Sequence, residues 1–283
     1  MALISAAVAA GGLLTLPMAG NGALAVLMVQ GPVRLEIEYE AIVPMPVIGR
    51  IKAASASVSA EIEPKGYTVN THARAEGMVD WFVDYNLKVG TIGAVTPYGL
   101  RPLRFDSNNR DGKKNRHVIV EFSPNEVVVS VTPKYGDWGF PPTSKSQMLE
   151  AVDPLSAIVE LALRAEATPA NPCGGPMRIF DGKQRYDLHL KFIQRLNWKS
   201  KVYTGPVLQC DLEYVEIAGF KNETAAQKAK DKADIKWSNM ILAELNGGTL
   251  TPPIKVEARS KKRGKITIQA TRLSHTATGI AGR

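Results

Sequence analysis

The histidines are the side chains of this chain best suited to proton transfer or metal binding. There are four of them: His72, His117, His189 and His275. Each lies in strand-like sequence and could act only if folding brought several of them together. The sequence also contains no G-x-S-x-G, H-E-x-x-H or G-x-x-x-x-G-K motif. We therefore predict no catalytic, cofactor-binding or metal-binding residue, and no enzymatic activity.

Cys173 and Cys210 are the only cysteines. In an exported protein, an even number of cysteines favours a disulfide between them. The alternative is a pair of buried free thiols in a cytosolic protein. A zinc site is disfavoured, because neither cysteine has a second ligand at the short spacing that such sites use.

The first 33 residues carry no charged side chain and include a long apolar run. Ala23-Leu24-Ala25 then matches the small-x-small pattern of a signal-peptidase site, which predicts a signal peptide over residues 1–25 and a mature chain of 26–283. A leader normally begins with Lys or Arg, which this one lacks. The alternative is an uncleaved N-terminal anchor, since about 20 apolar residues can span a membrane.

The elements that would position the histidines and cysteines are mostly strands. Apolar and polar residues alternate from Arg34 onwards, and strand-like runs include 66–75 and 78–89. We predict one amphipathic helix over about 153–166, with Asp153 as N-cap and Pro154 as its first residue. A second, exposed helix is predicted over about 222–235. The fold class is therefore mainly antiparallel β, in one domain.

A tight hairpin follows the predicted packed helix. Asp181-Gly182 is a strong turn dipeptide between the strand-like runs MRIF and KQRYDLHLKF. Alternation places Tyr186 and Leu188 on one face of the second strand, and Arg185 and Asp187 on the other. We interpret Asp181 as a turn residue rather than as part of a catalytic carboxylate pair.

The chain is basic, with a formal net charge of +8. One late hairpin contributes five positive charges without an acid among them: Arg259, Lys261, Lys262, Arg263 and Lys265. These are our candidate contacts for an anionic partner, attracted by long-range electrostatics. The alternative is that basic hairpin tips keep edge strands soluble. No nucleic-acid partner is expected for an exported protein.

The segment from Asp153 to Phe220 resembles one known family. The capped helix VDPLSAIVEL, then NPCGGPMRIFDGKQRYDLHL, then CDLEYVEIAGF is similar to the signature order of the domain-of-unknown-function 3108 family (DUF3108), exported proteins of Gram-negative bacteria. The likeness covers about residues 34–273. It implies a periplasmic protein whose antiparallel strands curl into an open barrel or half-barrel around a helix.

Together these features predict a non-catalytic periplasmic protein of the cell envelope. It would bind a hydrophobic or anionic envelope component in or at an open β-barrel: a lipid, lipopolysaccharide, a cell-wall polymer or another envelope protein. The alternative is an envelope hydrolase or transferase whose site assembles from distant residues. The sequence predicts neither the ligand nor the oligomeric state.

Overall fold

The computed structural model describes residues 29, 31–45, 47–79, 85–111, 115–163, 167–224, 226–227, 235–261 and 264–277. The predicted signal peptide lies outside these residues.

The described residues form a long antiparallel meander with two short helices. The strands are β1 (Val33–Met45), β2 (Gly49–Ile62), β3 (Gly66–Ala75), β4 (Tyr85–Thr96), β5 (Gly99–Asp111), β6 (Arg116–Phe122), β7 (Val127–Thr132), β8 (Met177–Phe180), β9 (Arg185–Lys199), β10 (Thr204–Ala218), β11 (Ile235–Ala243), β12 (Pro253–Ser260) and β13 (Gly264–Ala277). The helices are α1 (Lys145–Leu149) and α2 (Pro154–Ala162), with 3₁₀ turns at Gly77–Val79 and Asn246–Gly248.

All of these strands belong to one sheet, in the order β7-β6-β5-β4-β3-β2-β1-β13-β12-β11-β10-β9-β8. Its centre joins the first described strand to the last, because β1 pairs antiparallel with both β2 and β13. Strands β7 and β8 are the two edges, so the sheet is open, as predicted. Alternation sets the faces: Val33, Leu35 and Ile37 of β1 are buried, and the residues between them are exposed.

Helix α2 lies where the sheet curls. It contacts β3, β4 and β5 from one half of the sheet and β8 and β12 from the other. Since these strands are far apart in the sheet order, the sheet must bend around the helix. Leu155 and Val159 pack into the main core cluster, while Leu161 packs into a second cluster that contains both cysteines. The interior beside the helix is thus filled by side chains.

Several predicted boundaries differ from the structure. Helix α2 ends at Ala162, and residues 164–166 of the predicted 153–166 helix lie outside the described part. Most of the second predicted helix, 222–235, also lies outside it; residues 226–227 are helical, but Ile235 already begins β11. The strand predicted over 78–89 is wrong at its start, because a 3₁₀ turn ends at Val79 and β4 begins at Tyr85.

The turn between β8 and β9 brings the two ends of the sheet into contact. Gly182 has φ +96° and faces β6 and β7, where an added Cβ would lie 2.4 Å from Cγ1 of Val118 and 3.1 Å from Cγ2 of Val120. The segment after β7 closes the same region, since Phe140 N donates to Phe220 O (2.8 Å) and Gly219 N donates to Pro141 O (2.8 Å). The two edge regions of the open sheet therefore meet through packing and loop hydrogen bonds, without a strand ladder between them.

We expect Gly182→Ala to destabilise the fold by about 2–4 kcal/mol. Alanine is strained at a positive φ, and its Cβ atom would clash with Val118 of β6. Gly247→Ala is the matched control, since Gly247 has φ +67° but no neighbour within 4 Å of an added Cβ. Urea unfolding measures both. Equal destabilisation by the two substitutions would show that the close approach of this turn to β6 contributes nothing to the stability of the fold.

Candidate ligand-binding pocket and basic hairpin

The two cysteines form a disulfide, as predicted. Their Cα atoms are 6.1 Å apart, and both residues are buried. Cys173 lies in the loop after α2, and Cys210 lies in the middle of β10 rather than at its end. The bond therefore fastens the loop that follows the central helix to the sheet.

Asp153 is the N-cap of α2, and Pro154 is the first residue of the helix. The Asp153 Oδ1 atom accepts hydrogen bonds from the backbone N–H groups of Leu155 (2.9 Å) and Ser156 (3.1 Å). Its Oδ2 atom accepts from the hydroxyl groups of Thr91 (2.9 Å) and Ser156. Tyr67 continues the network through a 2.6 Å hydrogen bond between its hydroxyl and that of Ser156. Burial raises the pKa of the Asp153 carboxyl.

Asp181 organises the turn between β8 and β9. Its Oδ1 atom accepts hydrogen bonds from the backbone N–H groups of Lys183 (2.9 Å) and Gln184 (2.7 Å). Burial raises the pKa of the Asp181 carboxyl as well. The oxygen atoms of Asp153 and Asp181 that accept these bonds are engaged in a helix cap and a turn, which are structural roles.

Arg185 lies on the same face of β9 as Asp187, as alternation predicts. Its side chain is nevertheless only 2% exposed, which the charged pattern of that face did not indicate. It forms an ion pair with Asp187, donates from Nη1 to the carbonyl oxygen of Tyr186 (2.8 Å), and lies 3.6 Å from Glu150. Glu150 caps the short helix α1, which sequence analysis did not predict.

The histidines are not brought together. His72, His117, His189 and His275 lie on β3, β6, β9 and β13, and no two of these strands are neighbours in the sheet. His117 contacts Asp106 (Nε2–Oδ1 2.7 Å), but both side chains are exposed on the strand surface. Within the described ranges, no group of three His, Cys, Asp or Glu side chains could hold a metal ion.

A pocket of about 300 Å³ lies between β1, β12, β13 and the turn that joins β9 to β10. Its lining combines one large aromatic side chain, two lysines, one glutamate, three neutral polar residues and three aliphatic residues: Glu40, Trp198, Ser200, Lys201, Val202, Ile254, Lys255, Gln269, Ala270 and Thr271. No local sequence pattern marks this site, because its residues lie far apart in the chain. The register brings three of them together, since Gln269 is paired with both Glu40 and Lys255.

The polar groups of the pocket hold one another in place. The Nζ atom of Lys255 lies 5.5 Å from the ring centroid of Trp198 and 2.9 Å from Oε1 of Glu257. Gln269 donates from Nε2 to Glu40 (2.7 Å), which fixes that carboxylate at the pocket wall. The pocket therefore offers an indole ring and two lysine ammonium groups, one of which pairs with Glu257, beside the carboxylate of Glu40. An anion with an attached ring or apolar part has matching chemistry.

The predicted basic hairpin joins β12 to β13. Arg259 and Lys261 are exposed, whereas the Nζ atom of Lys265 is 2.8 Å from Oε1 of Glu257. Lys262 and Arg263, the other two candidates, lie outside the described residues. Although burial opposes the effect, hydrogen bonds from Lys265 and Lys255 lower the pKa of Glu257.

The pocket and the hairpin share one face of the sheet. Lys255, Glu257 and Arg259 are alternate residues of β12, so their side chains project to the same side over about 13 Å. A ligand or surface that meets the hairpin therefore lies on the same face as the pocket. Over the ranges that the structure covers, no helix has both the length and the apolar character needed to cross a membrane.

An open antiparallel sheet that curls around a central helix defines a barrel-like β protein. The chain belongs to the family described as "Protein of unknown function (DUF3108)", whose model matches residues 36–270. No curated protein matches the chain significantly. Among solved structures, it is similar to a "Beta-barrel-like Protein of Domain of Unknown Function DUF1849 from Brucella abortus", with 13% identity, a TM-score of 0.48, and coverage of 88% of this chain and 99% of that one.

Proposed function

We propose that this protein is a non-catalytic periplasmic protein that binds an anionic component of the cell envelope in the pocket beside Trp198. The observation that carries the proposal is the meeting of Trp198, Lys201 and Lys255 in a cavity of about 300 Å³. Ligand sites commonly combine apolar or aromatic walls with a few polar groups that fix orientation.

The packed interior favours this pocket over the inside of the sheet as the binding site. Leu155, Val159 and Ala162 of α2 are almost completely buried against the strands. A hydrophobic ligand in that position would have to displace the helix and break its cap. The pocket is available without such a change.

The lining favours a saccharide that carries phosphate or carboxylate groups, as in lipopolysaccharide or an anionic cell-wall polymer. The lysine ammonium groups match its negative charges, and the flat indole of Trp198 can pack against the apolar face of a sugar ring. Ser200, Thr271 and Gln269 add neutral hydrogen-bonding groups.

Two features favour the periplasm. The apolar leader with its small-x-small motif is typical of secreted proteins. The disulfide between Cys173 and Cys210 is typical of an oxidising compartment. A non-catalytic role is favoured over a hydrolase or transferase, because the two carboxyls whose pKa values are raised serve as a helix cap and a turn.

Binding of purified lipopolysaccharide, followed by tryptophan fluorescence and calorimetry, tests the proposal. We expect Lys201→Gln with Lys255→Gln to weaken binding at least tenfold, because two charge-assisted contacts are lost. Trp198→Ala should have an effect of similar size.

The matched charge control is Lys65→Gln with Arg101→Gln, which removes two exposed charges outside the pocket. Trp138→Ala is the aromatic control, since Trp138 is 45% exposed and does not line the pocket. If the pocket variants bind lipopolysaccharide and soluble anionic cell-wall polymer as tightly as these controls do, the proposed function is wrong.

A further inference from the structure

The turn between β1 and β2 exposes aliphatic side chains at its tip. Val47 is 107% exposed and Ile48 is 58% exposed, so neither packs on the body of the protein. Val47 also has φ +71°, a backbone conformation that a β-branched residue rarely adopts. A glycine or asparagine would form this turn with less strain. The backbone strain of an exposed valine in this conformation suggests that its side chain has a functional role.

The basic hairpin lies next to this turn. An added Cβ on Gly264 would be 2.9 Å from Cγ of Pro44, which shows how closely the two turns approach. Arg50, just after the aliphatic tip, reaches across to β13 and donates from Nη2 to the hydroxyl of Thr267 (2.9 Å). The aliphatic tip and the exposed Arg259 and Lys261 therefore lie at the same end of the central strands, which we call the docking edge.

The sequence of the two turns carries positive charge only, although two of its lysines pair with acids outside them: Lys52 with Glu76 (3.9 Å) and Lys265 with Glu257 (2.8 Å). Residues 41–54 contain two basic side chains, Arg50 and Lys52, and residues 258–266 contain five. Neither segment contains Asp or Glu. An apolar tip beside such a cluster complements a surface that is anionic outside and apolar just beneath.

We propose that this edge docks on the surface of an anionic lipid bilayer. Val47 and Ile48 insert at the boundary between headgroups and acyl chains, while Arg50, Arg259 and Lys261 contact lipid phosphates. A bilayer is favoured over a protein partner because the tip is narrow. A stable protein interface buries about 800 Å² on each side, which two protruding aliphatic side chains cannot supply.

Vesicle co-sedimentation of the mature chain tests this inference. The probes are vesicles of phosphatidylglycerol and phosphatidylcholine, compared with phosphatidylcholine alone. We expect binding only to the anionic vesicles, and weaker binding as salt is raised. Val47→Ser with Ile48→Ser should weaken it about tenfold or more through lost apolar burial. Arg259→Gln with Lys261→Gln should weaken it by a similar factor through lost attraction to the charged surface.

The charge control is again Lys65→Gln with Arg101→Gln, which removes two charges at the other end of the strands from the docking edge. The apolar control is Tyr98→Ser, at an 85% exposed position of the turn between β4 and β5. Both controls should bind within about twofold of the wild type, because neither touches the docking edge. If the charge control loses as much vesicle binding as Arg259→Gln with Lys261→Gln, binding reflects the overall positive charge of the protein and not docking at this edge. If Val47→Ser with Ile48→Ser binds vesicles as well as the wild type, the inference is also overturned.

Trp198→Ala separates this inference from the proposed function. We expect that variant to lose saccharide binding and to keep vesicle binding, because Trp198 lies in the pocket and not at the docking edge. Failure of vesicle binding with intact lipopolysaccharide binding would refute the membrane inference alone. Capture of a protein by the tip with no vesicle binding would identify a protein partner and would also refute it.

Discussion

Loss of the disulfide between Cys173 and Cys210 is expected to lower the free energy of unfolding by about 4 kcal/mol, because the bond closes a loop of 37 residues in the unfolded chain. Both cysteines are buried in the cluster that contains Leu161 of α2, so the substituted side chains must also repack there. Urea unfolding of Cys173→Ser with Cys210→Ser, compared with the wild type, measures the change.

Reduction of the wild type provides the matched control, since it breaks the bond without changing the packed atoms otherwise. We expect reduced wild type to unfold at nearly the same urea concentration as the double serine variant. A change below about 1 kcal/mol in both would mean that the rest of the sheet holds the loop as firmly as the bond does. Alkylation of protein isolated from its native host tests the compartment separately, and two free thiols there would contradict the periplasmic proposal.

Replacement of Asp153 by alanine is the second change with a large expected effect. It removes the cap of α2 and leaves the buried hydroxyls of Thr91 and Ser156 without their shared acceptor. Together these losses should destabilise the protein by about 2–4 kcal/mol. Because α2 joins the two core clusters, urea unfolding should remain a single transition.

Asp153→Asn is the control, since its carbonyl oxygen can still cap the helix. Its comparison with the wild type also tests the raised pKa of Asp153. A carboxyl whose pKa is higher in the folded state stabilises the protein most below its unfolded pKa of about 3.9, and this contribution is lost as the pH rises through the folded value. The stability of the wild type relative to Asp153→Asn should therefore fall as the pH is raised from about 4. A difference that stays constant with pH would show that the carboxyl titrates normally.

Local sequence predicted most of the strands because each carries its own signal. The run 66–75 matches β3 at both ends, and the Asp181-Gly182 turn joins two strands as its residue types require. Asp153 and Pro154 likewise begin α2, since a cap acts within a few residues of itself.

Features that depend on tertiary contacts were harder to predict. Arg185 has an alternation pattern typical of an exposed strand position, but folding buries its side chain beside Asp187 and Glu150. The pocket has no local pattern, because Glu40 and Gln269 meet through the pairing of the first strand with the last. The basic hairpin was visible as a run of charge, but its aliphatic neighbour at Val47 became apparent only from the approach of Pro44 to Gly264.

The pairing of β1 with β13 has a consequence for how the protein is made. Leu35 meets His275, so the middle of the sheet is completed by residues that are synthesised 240 positions after those of β1. Until they emerge, β1 presents a long unpaired edge of backbone donors and acceptors, which is an aggregation hazard. We therefore expect a chain truncated before β13 to expose this edge and to aggregate more readily than the full chain.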